Sequence, residues 1–288
     1  MSSLNLDHII IVVSDLSAAT RQFTQLGFLV IPGGVHSGGL THNALIPFAD
    51  GTYLELLATN RFASFRLITI LKKLHLLNIY TANQTAINRR IIENIASGVG
   101  LNDYALLSNN LDQEIELINH RGQNFTDPIS GGRIRPDGQE IIWRTSVPQT
   151  IDIPFLIEDI TPHELRVPKV DENAHANGVS GTRGLSILVP NLVDSIARYR
   201  ELLGEEPKTQ PSHPQPGTQS TEYMLGRRFI SLSSPLPENS ALRHLLRHRP
   251  SRPIGLLFNN KESSEDDFLS LTYFPDKGAT LSHSHTYL

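Results

Sequence analysis

LDHIIIVVSDLSAATRQFTQLG, residues 6–27, recurs along the chain. Residues 101–122, LNDYALLSNNLDQEIELINHRG, match it without a gap, and residues 182–203, TRGLSILVPNLVDSIARYRELL, repeat the design. Each copy opens with a β-rich run (IIIVV, YALL, LSILV) and then sets Asp15, Asn110 or Asn191 where a helix N-cap belongs. A short polar side chain there accepts a hydrogen bond from the free N–H groups of the first turn. Apolar residues at about 3.6 spacing follow, in the first copy Leu16, Ala19, Phe23 and Leu26. Gly27, Gly122 and Gly204 close the three helices, because glycine accepts the left-handed backbone of a helix end.

After each glycine come short β-prone runs with turn signals between them. In the first copy they are FLVIP, THNALIPF and TYLELLA, joined by the glycine-rich stretch 33–39 and by Asp50-Gly51. The second has RIRPDGQEIIWRT, a hairpin turning at Pro136-Asp137-Gly138, and then IDIPFLIEDI. The third has EYMLG and RRFISLSS. Each unit therefore reads as βαβββ, and the fold class expected is α+β. Two segments stand outside the repeat: a helical one from 60 to about 98, and a polar, linker-like one at 168–181. The first is readable either as a lid over a site or as helices capping exposed sheet. The expected organisation is thus one domain over 1–168, with modules at 4–59 and 100–166 around a helical insert 60–98. A degenerate third module over 178–288 follows, with an echo of LLSNN in LLFNN at 256–260 that hints at a truncated fourth.

Composition narrows the function. With 25 Lys and Arg against 29 Asp and Glu, and no long basic run, nucleic acid is not an expected partner. The absence of cysteine removes disulfides, thiolate nucleophiles and cysteine metal sites, so any metal must sit on His, Asp and Glu. No apolar stretch approaches the roughly 20 residues of a membrane span, and the N-terminal residues carry no basic leader. The expectation is a cytoplasmic, soluble protein without a membrane partner.

LDHIIIVVSDL, with GGVHSGGLTHNALIPF and YLELL after it, resembles the glyoxalase-like branch of the vicinal oxygen chelate superfamily; GGRIRPDGQEIIW and IPFLIED carry the likeness into the second unit. The resemblance implies two βαβββ units whose curved mixed sheets form a cleft, with a divalent metal (Zn, Fe, Mn, Ni or Mg) held from their first and last strands. In this sequence that implies His8 and Glu55, with Asp103 and Glu158 from the second unit and Glu158 preferred. At the same places the third unit has Gly184 and Ser231, which are not ligands, so that unit is expected to be scaffold or to meet a second chain in a homodimer.

The residues have their own reading. His8 shares a strand face with Ile10 and Val12 by period two, and Glu55 sits between Leu54 and Leu56 with its carboxylate where an apolar group is expected. An unpaired buried carboxylate is costly. Either the two form a ligand pair or they hydrogen-bond to each other inside the sheet. Glu158 competes with Asp159 for the inward position, since a one-residue slip exchanges faces. His36 and His42 on the glycine-rich loop are candidates for moving a proton, and Asn43 for touching substrate. Arg133 and Trp143 are candidates for binding an oxygen and stacking a planar group. Arg135 is open to the same role or to a surface pair with Asp137 or Glu140. His283 and His285 form a period-two pair at the chain end, read as tail. The reaction expected is metal-assisted lyase or isomerase chemistry on a small oxygenated molecule through an enolate-like intermediate. The alternative is metal-free binding or rearrangement in the same cleft.

Overall fold

A computed structural model describes residues 3–212, 216–237, 240–246, 251–260, 268–274 and 278–284. The first unit comprises β1 (Asn5–Val12), α1 (Leu16–Gln25), β2 (Ile31–His36), β3 (Thr41–Pro47) and β4 (Tyr53–Thr59). The insert is α2 (Phe62–Lys73), α3 (Leu77–Thr81) and α4 (Ala86–Ala96). The second unit is β5 (Gly100–Leu107), α5 (Leu111–His120), β6 (Ile129–Ile134), β7 (Glu140–Ser146) and β8 (Phe155–Asp159), followed by the short α6 (His163–Arg166). Then come β9 (Val179–Leu188), α7 (Leu192–Leu203), β10 (Thr218–Leu225), β11 (Arg228–Pro235), α8 (Ser240–Leu246), β12 (Arg252–Asn260), β13 (Phe268–Phe274) and β14 (Gly278–Ser284).

The caps act as the repeat demands. Asp15 Oδ1 accepts from the Ala18 N–H at 2.9 Å, Asn110 from Gln113 at 3.1 Å, and Asn191 from Val193 at 3.0 Å. The two units close into one barrel in the order β1-β4-β3-β2-β6-β7-β8-β5. Within each unit the first and last strands pair in parallel, β1 with β4 and β5 with β8, and the units join through antiparallel β1–β5 and β2–β6 contacts.

The third copy departs from βαβββ. β9 pairs in parallel with β11, as β1 does with β4, but among the described residues only β10 and β11 stand between α7 and α8, and Lys208 ahead of them makes an isolated bridge to Glu222. β12 pairs antiparallel with β9, as β5 does with β1. It then continues antiparallel into β13 and β14, so the second sheet stays open, in the order β10-β11-β9-β12-β13-β14.

One hydrophobic core joins barrel and sheet. Ile9, Ile11, Phe23, Leu54 and Leu106 belong to it together with Leu185, Tyr199, Ile230, Leu256 and Phe258. The barrel interior is a second, smaller core: Ile10, Val12, Leu57, Ala105, Phe155 and Ile157 meet Ile68, Ile92 and Ile95 of the insert. The insert thus closes the barrel at the end where Val12 and Leu57 lie. It is fastened there by Arg90, whose Nε and Nη2 donate to Asp103 at 2.6 and 2.7 Å, with Asn94 adding a third bond at 2.6 Å.

Candidate active site

The barrel interior holds a cavity of about 310 Å³ lined on one side by His8, His36, Asn43, Glu55 and Arg133, and on the others by Ile10, Leu57, Trp143, Phe155, Ile157 and by Ile87 and Ile91 of α4. Five polar side chains from five strands therefore converge on one apolar chamber, the arrangement expected of a small-molecule site.

His8 is positioned by a backbone irregularity. Between Leu6 and His8 the β1–β5 register slips by one residue, so Asp7 is the extra residue of a bulge and is buried beside His8 instead of on the opposite face. Asp7 Oδ2 lies 2.6 Å from His8 Nδ1. Arg166 holds the other side of that carboxylate through both terminal nitrogens, each at 2.9 Å, and also donates to Asp159 and to the Tyr53 hydroxyl. Burial raises Asp7's carboxyl, but Arg166 and the His8 bond outweigh it and leave it far below the carboxylate range. An ionised Asp7 can only accept, so His8 Nδ1 carries the hydrogen of that bond and Nε2 is the ring atom turned to Glu55 and the cavity. Tyr53 stacks on the imidazole at 4.8 Å between ring centroids, fixing its plane.

Glu55 is the hub. Its Oε2 lies 3.5 Å from His8 Nε2, its Oε1 lies 3.4 Å from His36 Nε2, and Oε1 accepts from Asn43 Nδ2 at 2.7 Å. Burial pushes Glu55's carboxyl up, yet His36, His8 and the Asn43 bond together hold it below its ordinary value, so it is ionised at neutral pH. His36 is held below its ordinary value chiefly by burial, against the opposing pull of Glu55, and its Nδ1 lies 2.8 Å from the Thr41 hydroxyl. Gly33 makes room for this cluster: a Cβ there would lie 1.9 Å from Asn43 Oδ1. Gly131 likewise leaves space for the Trp143 indole, 2.8 Å from where its Cβ would stand.

Arg133 is 3 % exposed. Its Nη2 donates to the Arg166 carbonyl at 2.5 Å, while its Nε has no partner. A buried guanidinium N–H without an acceptor is expensive, and Arg133 is among the residues that line the chamber.

Four of the expected site residues lie elsewhere or do other work. Glu158 is turned away from the cavity: its neighbours Thr145 and Ile157 line the chamber, whereas Glu158 pairs with Arg144 on the outer face at 2.5 Å. The register explains the correction. Ile10 stands opposite Glu55 on β4, and Ala105, which is Ile10's counterpart, stands opposite Phe155 on β8. The second unit's equivalent of Glu55 is therefore Phe155, three residues before Glu158. His42 alternates with Asn43 along β3 and faces a separate pocket under α1 with Leu16 and Thr20. Arg135 pairs with Asp137 at 3.0 Å on the surface. Asp103 belongs to Arg90. His285 lies outside the described residues.

The four strand positions at which the superfamily pattern would place ligands are thus His8, Glu55, Asp103 and Phe155. Among the described residues no three His, Cys, Asp or Glu are grouped to hold a metal ion. A phenyl ring offers no lone pair and Asp103 is already bound to a cation of the chain itself. This donor set does not fit a divalent metal held in that way.

Sequence reading did not find Asp7, Tyr53, Arg166, Arg90 and Phe155. Asp7 had the one available signal, its place next to His8, but period two assigns it to the wrong face. Arg166 stands 159 positions from Asp7, and nothing local in the sequence links them.

Compared with known proteins, residues 6–203 match the family model described as a glyoxalase-like domain. No curated protein matches the chain. Among solved structures, a hypothetical protein from Staphylococcus aureus is similar over 96 % of this chain and 98 % of its own, with 15 % identity and a TM-score of 0.69. A substituted 4-hydroxymandelate synthase from Streptomyces coelicolor is similar over 90 % of this chain and 71 % of its own, with 12 % identity and a TM-score of 0.56. At these identities the likeness concerns the fold. With a matching family model across most of its length and the paired βαβββ barrel built from it, the chain belongs to the glyoxalase-like domain family.

Proposed function

We propose that this protein is an enzyme that binds a small, partly apolar carboxylate or 2-oxo acid in the barrel cavity and moves a proton on the carbon next to its carbonyl. The observation that carries this reading is Arg133, buried with an unpartnered Nε beside an ionised Glu55 and two imidazoles. The Arg133 guanidinium binds the carboxylate or carbonyl oxygen; Ile10, Leu57, Trp143 and Phe155 enclose the apolar remainder. Glu55 takes the proton from carbon, the electron pair moves onto the carbonyl oxygen, and Arg133 stabilises the enolate formed there. His8 Nε2, 3.5 Å from Glu55 Oε2, relays the proton, and the ionised Asp7 stabilises the imidazolium. His36, whose Nε2 lies 3.4 Å from Glu55 Oε1, is the second group placed to receive that proton from Glu55 and return it to carbon. Return to the other face gives an isomerase, and expulsion of a neighbouring group gives a lyase.

Members of the superfamily typically use a divalent metal. Here the donor set supports a protein cation, Arg133, in the charge-stabilising role, and no step above is routed through a metal.

The test uses thermal shift and calorimetry with short-chain and aromatic 2-oxo acids and their amides, followed by proton NMR in D2O. Carboxylates are expected to stabilise the wild type and to lose at least tenfold in affinity with Arg133→Met. Deuterium should enter the carbon next to the carbonyl with wild type and not with Glu55→Gln, which still binds. Equal binding of acids and amides, or unchanged affinity in Arg133→Met, overturns the reading.

A further inference from the structure

The insert has a surface that the cavity does not use. Between Glu55 and Glu93 the chain has no acidic residue, and residues 60–98 carry six Lys or Arg against that one Glu93. That is a net of +5 in a chain whose total is −4, which leaves −9 on everything else. The same segment exposes apolar side chains. Among the described residues, six of the thirteen large hydrophobics that face solvent fall between 67 and 80: Leu67, Ile70, Leu74, Leu76, Ile79 and Tyr80. Ile79 is 74 % exposed, Leu74 59 % and Ile70 52 %. Leu67, Ile70 and Leu74 stand at i, i+3 and i+7 and so form one stripe on α2, with the exposed Arg66 and Lys73 beside it. The stripe continues past Leu74 into α3. A patch of this kind marks an interaction site.

We infer that this face of the insert docks on an anionic lipid surface, with the Leu and Ile side chains entering the interface and the Lys and Arg side chains meeting the headgroups. Basic residues flanking an exposed apolar helical stripe, with acids excluded, are what such a surface selects. A second copy of the chain fits poorly. Pairing the face with itself sets Arg66 and Lys73 against their own copies, and pairing it with the acidic remainder gives a head-to-tail contact in place of the two-fold pair that most dimers form. No helix among the described residues is long and apolar enough to cross a membrane, so the contact is peripheral. The face also lies beside the cavity. A neighbouring pocket lined by Arg61, Ser64 and Tyr80 shares Ser37, Gly38 and Asn88 with the chamber, so the chamber's outward side adjoins the docking face. The docking itself does not depend on the reaction proposed above.

Flotation of the full chain with vesicles tests it. Vesicles of 30 % phosphatidylserine in phosphatidylcholine are expected to carry at least tenfold more protein than phosphatidylcholine alone, and 0.5 M NaCl should remove most of that difference, as screening requires. Ile70→Asp with Ile79→Asp should abolish flotation, and Lys73→Glu should reduce it severalfold; both leave buried residues untouched. The salt response of the wild type needs no variant, so a folding defect would not blur the result. Absent or equal flotation on the two vesicle types overturns the inference. So does sedimentation showing a dimer that Ile70→Asp with Ile79→Asp converts to monomer, which would give the face to a second copy.

Discussion

At the residue scale the site depends on charges that water cannot screen. Arg166 satisfies two carboxylates, Asp7 and Asp159, and is itself almost fully buried. Removing one partner of a buried pair strands the other, at a cost of about 3–5 kcal/mol. Arg166→Met is therefore expected to lower unfolding stability by that order in urea titration, with loss of activity through the freed His8. Asp7 allows a sharper check because its carboxyl is depressed: its stabilisation is complete above the ordinary aspartate value of 3.8 and is lost as pH falls through the folded value. Asp7→Asn should be less stable than wild type by a constant amount near neutrality, and the gap should narrow as pH drops below that value. Glu55 obeys the same sign. Activity that needs its carboxylate should persist to pH values below those of an ordinary glutamate, and a pH–rate profile whose acid limb sits above the ordinary range would contradict its role as base.

At the element scale the insert is held by a bond that replaces a ligand. In the second unit the position of His8 is Asp103, and its carboxylate receives Arg90 and Asn94 from α4. Arg90→Leu should leave the buried Asp103 carboxylate without its cation, loosening α4 before the barrel. The expected readout is faster amide exchange over residues 86–96, while β1 and β5 keep their protection. Ligand affinity should fall with it, because Ile87 and Ile91 line the chamber. The bulge is the other decision made at this scale. Slips of register occur at Asp7 in β1, at Asn102 in β5 and at Arg183 in β9, the same place in each copy of the repeat. The backbone device is kept in all three units, but only the first uses it to bring a carboxylate to a histidine.

At the scale of the whole molecule, barrel and open sheet share one core. β5 packs against β12 and β13, and the hydroxyls of Tyr104 and Tyr199 bond to each other across the junction. Asp50 reaches from the barrel to the Thr182 N–H at 3.0 Å and to Arg228. A chain ended after residue 168 would uncover Leu6, Ile9, Leu54 and Leu106 on the face where Leu185, Ile187 and Leu256 now lie. Such a fragment is expected to aggregate or to lose the cooperative unfolding of the full chain, as measured by calorimetry.

What the amino-acid sequence determined by itself was local and periodic. The strand–cap–helix–glycine phrase repeated, its N-caps bond where their spacing says, and His8 and Glu55 share one face because period two and parallel pairing require it. From these the family and the paired βαβββ barrel were legible. Tertiary structure decided what depends on register and on distance along the chain. Three residues separate Glu158 from Phe155, an odd offset that exchanges faces, and a strand's own sequence does not state which register its partner will impose. The Asp7–Arg166 link spans 159 positions and the Arg90–Asp103 link crosses from an element outside the repeat, so no local pattern encodes either. The sequence thus named His8, Glu55, His36, Asn43, Arg133 and Trp143 of the chamber's lining. Folding decided which of them meet, because only the closed barrel brings Arg133 of the second unit opposite His36 of the first.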